Sequence, residues 1–159
     1  MRDEQDLLSG LALGVFRLNG QFLDVAENLA RPAGLTAAWW QVLGAVLTQP
    51  LSVSDIAREM GITRQSVQRI ADLLVARGLA EYRPNPAHRR AKLVAPTPEG
   101  RQAVSGIDPA HAAFAHRLTQ ALGRDELTDT LAALRRLSTV LDQLADDAPT
   151  DDRPAGQRR

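Results

Sequence analysis

The chain has 159 residues, 44% of them hydrophobic, with no cysteine and a formal net charge of zero. This composition favours one globular domain over disorder, and the absence of cysteine excludes disulfides, thiolate metal sites and thiol redox chemistry. Aromatic residues make up only 4%, which favours helices over sheet. Without a signal-like N-terminus or a long apolar run, we expect a mainly α-helical cytoplasmic protein with no membrane partner.

The first two predicted helices precede the most informative part of the chain. Apolar side chains recur at helical spacing over residues 6–30, and Pro32 and Gly34 are placed to end that helix. Thr36 is in position to cap a second helix that runs to about Thr48. These segments are expected to support the segment that follows.

Residues 53–72, with the sequence VSDIAREMGITRQSVQRIAD, predict two short helices joined by a tight turn. Ser52 caps the first of them, and Gly61 ends it because glycine readily takes a positive φ. Thr63 caps the second, which is expected to end at Arg77. This is the spacing of a DNA-binding helix-turn-helix. The apolar contacts between its helices come from Ile56, Met60, Ile62, Val67 and Ile70.

The second helix of this pair is predicted to have one polar and one apolar face. On a helical wheel the polar arc holds Arg64, Gln65, Gln68, Arg69 and Asp72, and the opposite side holds Val67, Ile70, Ala71 and Leu74. Arginine pairs with guanine, and glutamine can pair bidentately with adenine. Thr63 and Ser66 are candidates for phosphate contacts.

A β-hairpin wing is predicted next, and it is basic. The segments 79–83 and 91–95 have the pattern of short strands, and the turn between them carries His88, Arg89 and Arg90 at its tip. Arginine inserted into a narrow minor groove is favoured by its negative potential. On the strands, Arg83 and Lys92 are expected to clamp phosphates. Residues 58–92 hold eight Lys/Arg and three acids, a net charge of +5.

Two or three helices are predicted after the wing. Thr97 and Pro98 give one helix start and Asp108-Pro109 a second, so the segment before Gly123 is either two helices or one kinked helix. The last helix, about residues 124–145, has leucines at heptad spacing, which must be buried against its own domain or a partner subunit. The polar, proline-containing segment 146–159 is interpreted as a disordered tail.

The order of these elements resembles the MarR family (multiple antibiotic resistance regulators). The resemblance rests on LTAAWWQVLGAV, SVSDIAREMGITRQSVQRIADLLVARGLAEY and NPAHRRAKLVAPTPEG, and spans about residues 6–145. It implies a homodimer that binds a pseudo-palindromic operator, usually a repressor released by a small ligand, with Arg89 as the wing-tip arginine. His88 and Asn85 stand where the family usually has acidic residues.

The resemblance also sets the expected domain organisation. We expect a winged helix-turn-helix with a two- or three-stranded wing at residues 36–97, flanked by helical dimerisation segments at 6–34 and 98–145. The family's ligand pocket places Phe16, Trp39 and Trp40 near a small aromatic or phenolic effector, although these residues fit a structural core or interface equally well. The dimerisation residues are expected to be Leu11, Val15, Leu127, Leu134, Leu137, Leu141 and Leu144.

Other functional classes find less support. No nucleophile, base and orienting group are grouped as an enzyme requires, so we expect no catalytic residues and no cofactor. His111 and His116 lie about 140° apart on a helix, a poor arrangement for one metal, so no metal site is expected. The alternative that remains is a helical protein–protein interaction module that uses its winged helix without binding DNA.

Overall fold

The computed structural model describes residues 1–147 and is mostly helical. Its elements in chain order are α1 (Arg2–Ala30), α2 (Ala37–Ala45), β1 (Leu51–Ser52), α3 (Val53–Met60), α4 (Arg64–Ala76), β2 (Ala80–Arg83), β3 (Leu93–Pro96), α5 (Pro98–Ser105), α6 (Asp108–Leu122) and α7 (Arg124–Asp146). The predicted tail, 146–159, falls outside the described residues except for Asp146, which ends α7, and Asp147.

Four helices begin at the capping residues that the sequence predicted. The side-chain oxygens of Thr36, Ser52, Thr63 and Thr97 each accept a hydrogen bond from the backbone N–H three residues later. Such a bond satisfies one of the N–H groups that a helix start leaves without a partner. The local sequence therefore sets where α2, α3, α4 and α5 begin.

The end of α2 differs from the prediction. The helix was expected to reach about Thr48 but ends at Ala45. The backbone N–H groups of Val46 and Leu47 bond to Leu43 O and Gly44 O, three residues back. Bonds of this span tighten the last turn and end the regular α-helix, and Pro50 follows before β1.

The wing is part of a three-stranded antiparallel sheet with the order β1-β3-β2. The central strand β3 pairs with both neighbours, and Val94 lies opposite Leu51 on one side and Tyr82 on the other. The sequence pattern located β2 and β3 but not β1, which has only two residues. Pro96 is the last residue of β3 and pairs with Ala80.

The buried core lies between Ala30 and Ile107. The helix-turn-helix contributes Ile56, Val67 and Leu74, all fully buried, and β3 contributes Val94. Gly100 of α5 lies against the wing strand, since a Cβ there would be 1.9 Å from the carbonyl oxygen of Leu79. This packing joins α5 to the start of the wing and supports the segment that carries the candidate site.

The chain divides into two compact units, residues 1–112 and 113–159, and the second is described to residue 147. The first unit contains the winged helix-turn-helix. In the second unit, α7 has no buried residue along its 23 positions. None of the helices among residues 1–147 is both long enough and apolar enough to cross a membrane.

Candidate nucleic-acid interface

The turn between α3 and α4 has the geometry that the sequence predicted. Gly61 ends α3 with φ +65°, and the N–H of Ile62 bonds to Ala57 O at 3.1 Å. This is the six-to-one bond of a glycine-terminated helix. Thr63 then caps α4 by accepting from Ser66 N at 3.1 Å. Three residues, 61–63, therefore end α3 and start α4.

One face of α4 is buried and the other is exposed, as the helical wheel predicted. Val67, Ala71 and Leu74 are fully buried against the rest of the domain. On the opposite side the polar residues remain open to solvent: Arg64, Gln65, Ser66, Gln68, Arg69 and Asp72. The buried face anchors the helix, so the exposed polar side chains project from a rigid support.

Thr63 and Ser66, the predicted phosphate ligands, are already bonded to each other. The Thr63 hydroxyl donates to Ser66 Oγ at 2.9 Å while it accepts from the Ser66 backbone. The Thr63 proton is therefore used within the protein, but the Ser66 hydroxyl proton remains available. Of the two hydroxyls, Ser66 is the better placed to donate to a phosphate oxygen.

Gln68 is more constrained than the sequence suggested. Its Nε2 donates to Asp72 Oδ1 at 3.0 Å and to the Tyr82 hydroxyl at 2.9 Å. Tyr82 in turn donates to Asp72 Oδ1. The bidentate reading of adenine needs an N–H of the glutamine, and here Nε2 is held by two partners within the protein.

Arg83 and Lys92, the predicted phosphate clamps of the wing, each have a partner within the protein. Arg83 binds the carboxylate of Glu81 through Nε at 2.8 Å and through its terminal nitrogen at 2.6 Å. The pair is half exposed, so it contributes little stability, but it offsets the positive charge of Arg83. Lys92 lies over the ring of Tyr82, with Nζ 5.7 Å from the ring centre.

At the wing tip, His88, Arg89 and Arg90 are exposed. Asn85 Oδ1 accepts from Ala87 N at 3.0 Å, a turn bond that an aspartate at this position would also make. Neither arginine takes part in an ion pair within residues 1–147. Both arginines are therefore available to an external anion.

The second helix of the helix-turn-helix, α4, which we call the recognition helix, meets the wing at one open cleft of about 590 Å³. Three cations, Arg64, Arg90 and Lys92, line it beside a single acid, Asp72. We call this the basic cleft; it is completed by Ser52, Val53, Ser54, Gln65, Gln68, Tyr82 and Ala91. Arg69 and Ser66 lie with Gln65 along a second groove on α4, while Arg83, His88 and Arg89 line neither.

Sequence reasoning missed Tyr82, Ser52 and Ser54 as members of this site. Tyr82 is separated from Asp72 by 10 residues and from Gln68 by 14, so no helical or strand period relates them. Only the fold of β2 against α4 brings them together. The one available signal was that Tyr82 is the only tyrosine of the chain, on a strand next to a basic turn.

The three residues predicted to contact a ligand have different surroundings. The Arg77 guanidinium lies 5.6 Å from the ring centre of Trp39, and Trp40 packs edge-on against His111 at 5.5 Å. Phe16, on α1, is largely exposed. The two tryptophans are partly buried against the core, which fits the structural alternative as well as a ligand contact.

Comparison with known proteins agrees with this architecture. The MarR family model matches residues 33–91, from the start of α2 to the wing. The uncharacterized protein Rv2011c of Mycobacterium tuberculosis is 38% identical over 136 residues, which cover 86% of this chain and 95% of that protein. The similarity extends across nearly the whole of both chains.

Solved structures share the fold. The transcriptional repressor CouR, bound to a 23-mer DNA duplex, matches with a TM-score of 0.71 and 28% identity over 82% of this chain and 94% of its own. Sco5413, a MarR family transcriptional regulator from Streptomyces coelicolor, matches with a TM-score of 0.71 and 25% identity over 85% and 95%.

A small antiparallel wing beside a helix-turn-helix, with long helices before and after it, defines a winged-helix DNA-binding regulator. The chain belongs to the MarR family of transcription regulators. The family assignment and the predicted fold class are therefore confirmed, and the wing sheet has three strands.

Proposed function

We propose that this chain is a homodimeric repressor that inserts α4 into the major groove of a pseudo-palindromic operator and sets its wing against the adjacent minor groove. The observation that carries the proposal is the basic cleft, where side chains of α4 and the wing face one open space. The similarity to CouR, a repressor solved on DNA, supports the same mode of docking.

The exposed residues of α4 divide into base readers and phosphate ligands. Arg64, Gln65 and Arg69 are exposed and are our candidates for base contacts. A good bidentate pair is worth about 1–3 kcal/mol of discrimination against the wrong base. In the wing, Arg89 and Arg90 supply charge that acts on any sequence through the phosphates and the minor groove.

Binding can be measured by fluorescence anisotropy with a labelled duplex from the region upstream of the chain's own gene. We expect Arg64→Ala to lower affinity about tenfold and to relax preference at one base position. Arg89→Ala should weaken binding to all sequences, with an extra loss at A/T-rich sites. Arg136→Ala, which removes the same charge from α7, serves as the matched control.

The salt dependence of the same titration separates DNA docking from the alternative function. Affinity should fall steeply as salt rises, in proportion to the phosphates contacted. Affinity that does not change with salt would favour a protein–protein interaction module. Arg64→Ala and Arg89→Ala proteins that both bind like wild type would contradict the docking model.

The proposed dimer is supported by apolar side chains that the single chain leaves exposed. On α1 these include Leu11, Val15 and Phe16, and on α7 they include Leu134, Leu141 and Leu144, while Leu127 and Leu137 are partly buried. Single exposed leucines are ordinary, but stripes of them on two helices mark an interaction surface. A second copy of the chain is the partner that the family resemblance implies.

Two glutamate substitutions two residues apart on α7 test the dimer. Leu141→Glu places a charge on the leucine stripe, and Gln143→Glu places the same charge about 200° around the helix. We expect sedimentation equilibrium to give a dimer dissociation constant at least about tenfold higher than that of wild type for Leu141→Glu, and an unchanged constant for Gln143→Glu. Equal effects of the two variants, or a monomeric wild type, would contradict the dimer.

A dimer also predicts the spacing of the operator. Footprinting should show two half-sites about 10 bp apart, centre to centre.

We further propose that a small aromatic or phenolic ligand, contacting Phe16, Trp39 or Trp40, releases the protein from DNA in the cytoplasm. The aromatic character of the three side chains supports this ligand class. A panel of aromatic acids added to the preformed DNA complex should lower its anisotropy. The proposal includes no catalysis, metal or cofactor, and release by no member of the panel would contradict it.

A further inference from the structure

Tyr82 connects the wing to the recognition helix through two polar residues of α4. Asp72 and Gln68 are four residues apart, so they lie one above the other on the same face of the helix. The Tyr82 hydroxyl reaches both of them from β2. We call these three residues the tyrosine network.

The chemistry of the groups fixes the direction of every hydrogen bond in this network. The Asp72 carboxylate only accepts, so both groups that face its Oδ1 must donate. Tyr82 has one proton and gives it to Asp72, so its oxygen must accept the bond from Gln68. The amide of Gln68 is therefore oriented with Nε2 toward both partners.

This orientation commits the nitrogen of Gln68 to the protein and leaves its oxygen without a partner. Nε2 donates to Asp72 and Tyr82, and no hydrogen bond described for residues 1–147 uses Oε1. The residue is exposed on the face of α4 that lines the basic cleft. The polar atom of Gln68 that is not bonded within the protein is thus its carbonyl oxygen.

The Tyr82 hydroxyl of this network stays protonated. Burial and the neighbouring Asp72 carboxylate raise the pKa of Tyr82 from 10.0 to about 12, against a smaller opposing effect of the bond from Gln68. The hydroxyl therefore keeps its proton at any physiological pH and continues to donate to Asp72. The orientation of Gln68 does not depend on pH in that range.

We propose that Tyr82 is a positioning residue for base recognition, which holds Gln68 so that it selects a base with an exocyclic amino group. In the major groove adenine offers the N6 amino group and cytosine the N4 amino group, whereas guanine and thymine offer acceptors at the corresponding places. Gln68 then favours adenine and cytosine over guanine and thymine at one operator position. This inference rests on the proposed DNA-binding function.

The test uses duplexes that carry each of the four bases at every position of the bound site. Wild-type protein is expected to accept adenine and cytosine with affinities within about threefold of each other at one position, and Gln68→Ala should abolish that preference. Tyr82→Phe keeps the ring but removes one of the two partners that hold Gln68 Nε2, so that the nitrogen can turn toward adenine N7. The adenine preference over cytosine should therefore rise by about 3- to 10-fold in that variant.

Each other outcome has a defined meaning. The inference is overturned if Gln68→Ala changes preference at no position, if wild type already selects adenine alone, or if Tyr82→Phe leaves the base profile as it was. Asp72→Asn, which removes the charge at the centre of the network, should change the profile in the same direction as Tyr82→Phe. Failure of wild type to bind any upstream duplex would instead refute the proposed function.

A second measurement uses wild-type protein alone, so it does not depend on whether a variant of the network folds. In free wild-type protein the side-chain amide protons of Gln68, observed by NMR, should exchange with water more slowly than those of Gln65, an exposed glutamine on the same helix. Equal exchange for the two glutamines would overturn the inference. The comparison is matched because both residues are of one type, on one helix, three residues apart.

Discussion

The winged helix-turn-helix and the terminal helices of this chain contain the same types of apolar residue but differ in how far they bury them. Within residues 1–147, all the buried core residues lie between Ala30 and Ile107. The 29-residue α1 buries only its last residue, and α7 buries none of its 23. By contrast, the 13-residue α4 buries three side chains completely.

This difference indicates what each region needs in order to be stable. The winged segment satisfies its apolar faces within one chain, so its geometry is set before DNA or a partner arrives. The leucines of α7 gain little from folding alone, because helix stability in proteins comes mainly from packing of an apolar face. A dimer would supply the packing that the single chain lacks.

The largest expected effect compares the same truncation in the two regions. Leu74→Ala removes a fully buried side chain of α4 and should lower the free energy of unfolding by about 2–5 kcal/mol, since it leaves a cavity. Leu144→Ala removes a side chain that is 61% exposed. We expect it to lower the free energy of unfolding by less than about 1 kcal/mol.

Urea unfolding at one protein concentration measures both variants, and dilution adds a second comparison. The effect of Leu74→Ala should be independent of protein concentration, whereas that of Leu144→Ala should grow where the dimer forms. Equal losses for the two leucines in dilute protein would contradict the division of the chain into a self-sufficient region and a partner-dependent one.

Substituting alanine for each of two glycines is expected to change the stability of the protein in opposite directions. Gly100→Ala would put a Cβ 1.9 Å from the Leu79 carbonyl oxygen, so the backbone must move and stability should fall by about 1–3 kcal/mol. Gly14→Ala meets nothing within 4 Å on the single chain and should raise the stability of α1 by up to about 1 kcal/mol. Thermal unfolding of both variants checks the signs; loss of stability in Gly14→Ala would show that another helix occupies that space.

A smaller effect is expected from two threonines. The Thr63 side chain caps α4, and Thr63→Ala should lower stability by about 0.5–2 kcal/mol. Thr128 lies inside α7, where its hydroxyl donates to Arg124 O at 2.8 Å. Because that bond does not cap a helix end, Thr128→Ala should be neutral or stabilising by up to about 0.7 kcal/mol. Circular dichroism during urea unfolding distinguishes these signs.

Much of the fold could be predicted because its signals are local. The capping residues Thr36, Ser52, Thr63 and Thr97 set their helix starts through bonds to a residue three positions away. Gly34 and Gly61 take positive φ values at helix ends that the sequence predicted. Each of these features depends on fewer than about six residues of chain, so a pattern in the sequence is enough to find it.

The parts that could not be predicted depend on contacts between distant segments. The strand β1 has two residues and exists because β3 pairs with it from more than 40 positions away. Arg83 and Gln68 donate to Glu81 and Tyr82 within the protein, and helical periodicity does not show those partners. Sequence reasoning identified the polar face of α4, but not which of its atoms remain free.

The last and smallest expected effect concerns pH and lies wholly within the packed region. The pKa of Tyr82 rises from 10.0 to about 12 in the folded protein, chiefly through burial and then through Asp72. The folded state therefore favours the protonated hydroxyl. Its stabilising contribution is complete below pH 10, the unfolded pKa, and is lost as pH rises through about 12.

Tyr82→Phe isolates this contribution, because the chain has no other tyrosine. The difference in unfolding free energy between wild type and Tyr82→Phe should be constant below pH 10 and shrink toward about pH 12. Urea unfolding at a series of pH values measures it. Two parallel stability curves across that interval would mean that the hydroxyl is free in solution, and the recognition helix and the wing would then be connected by packing alone.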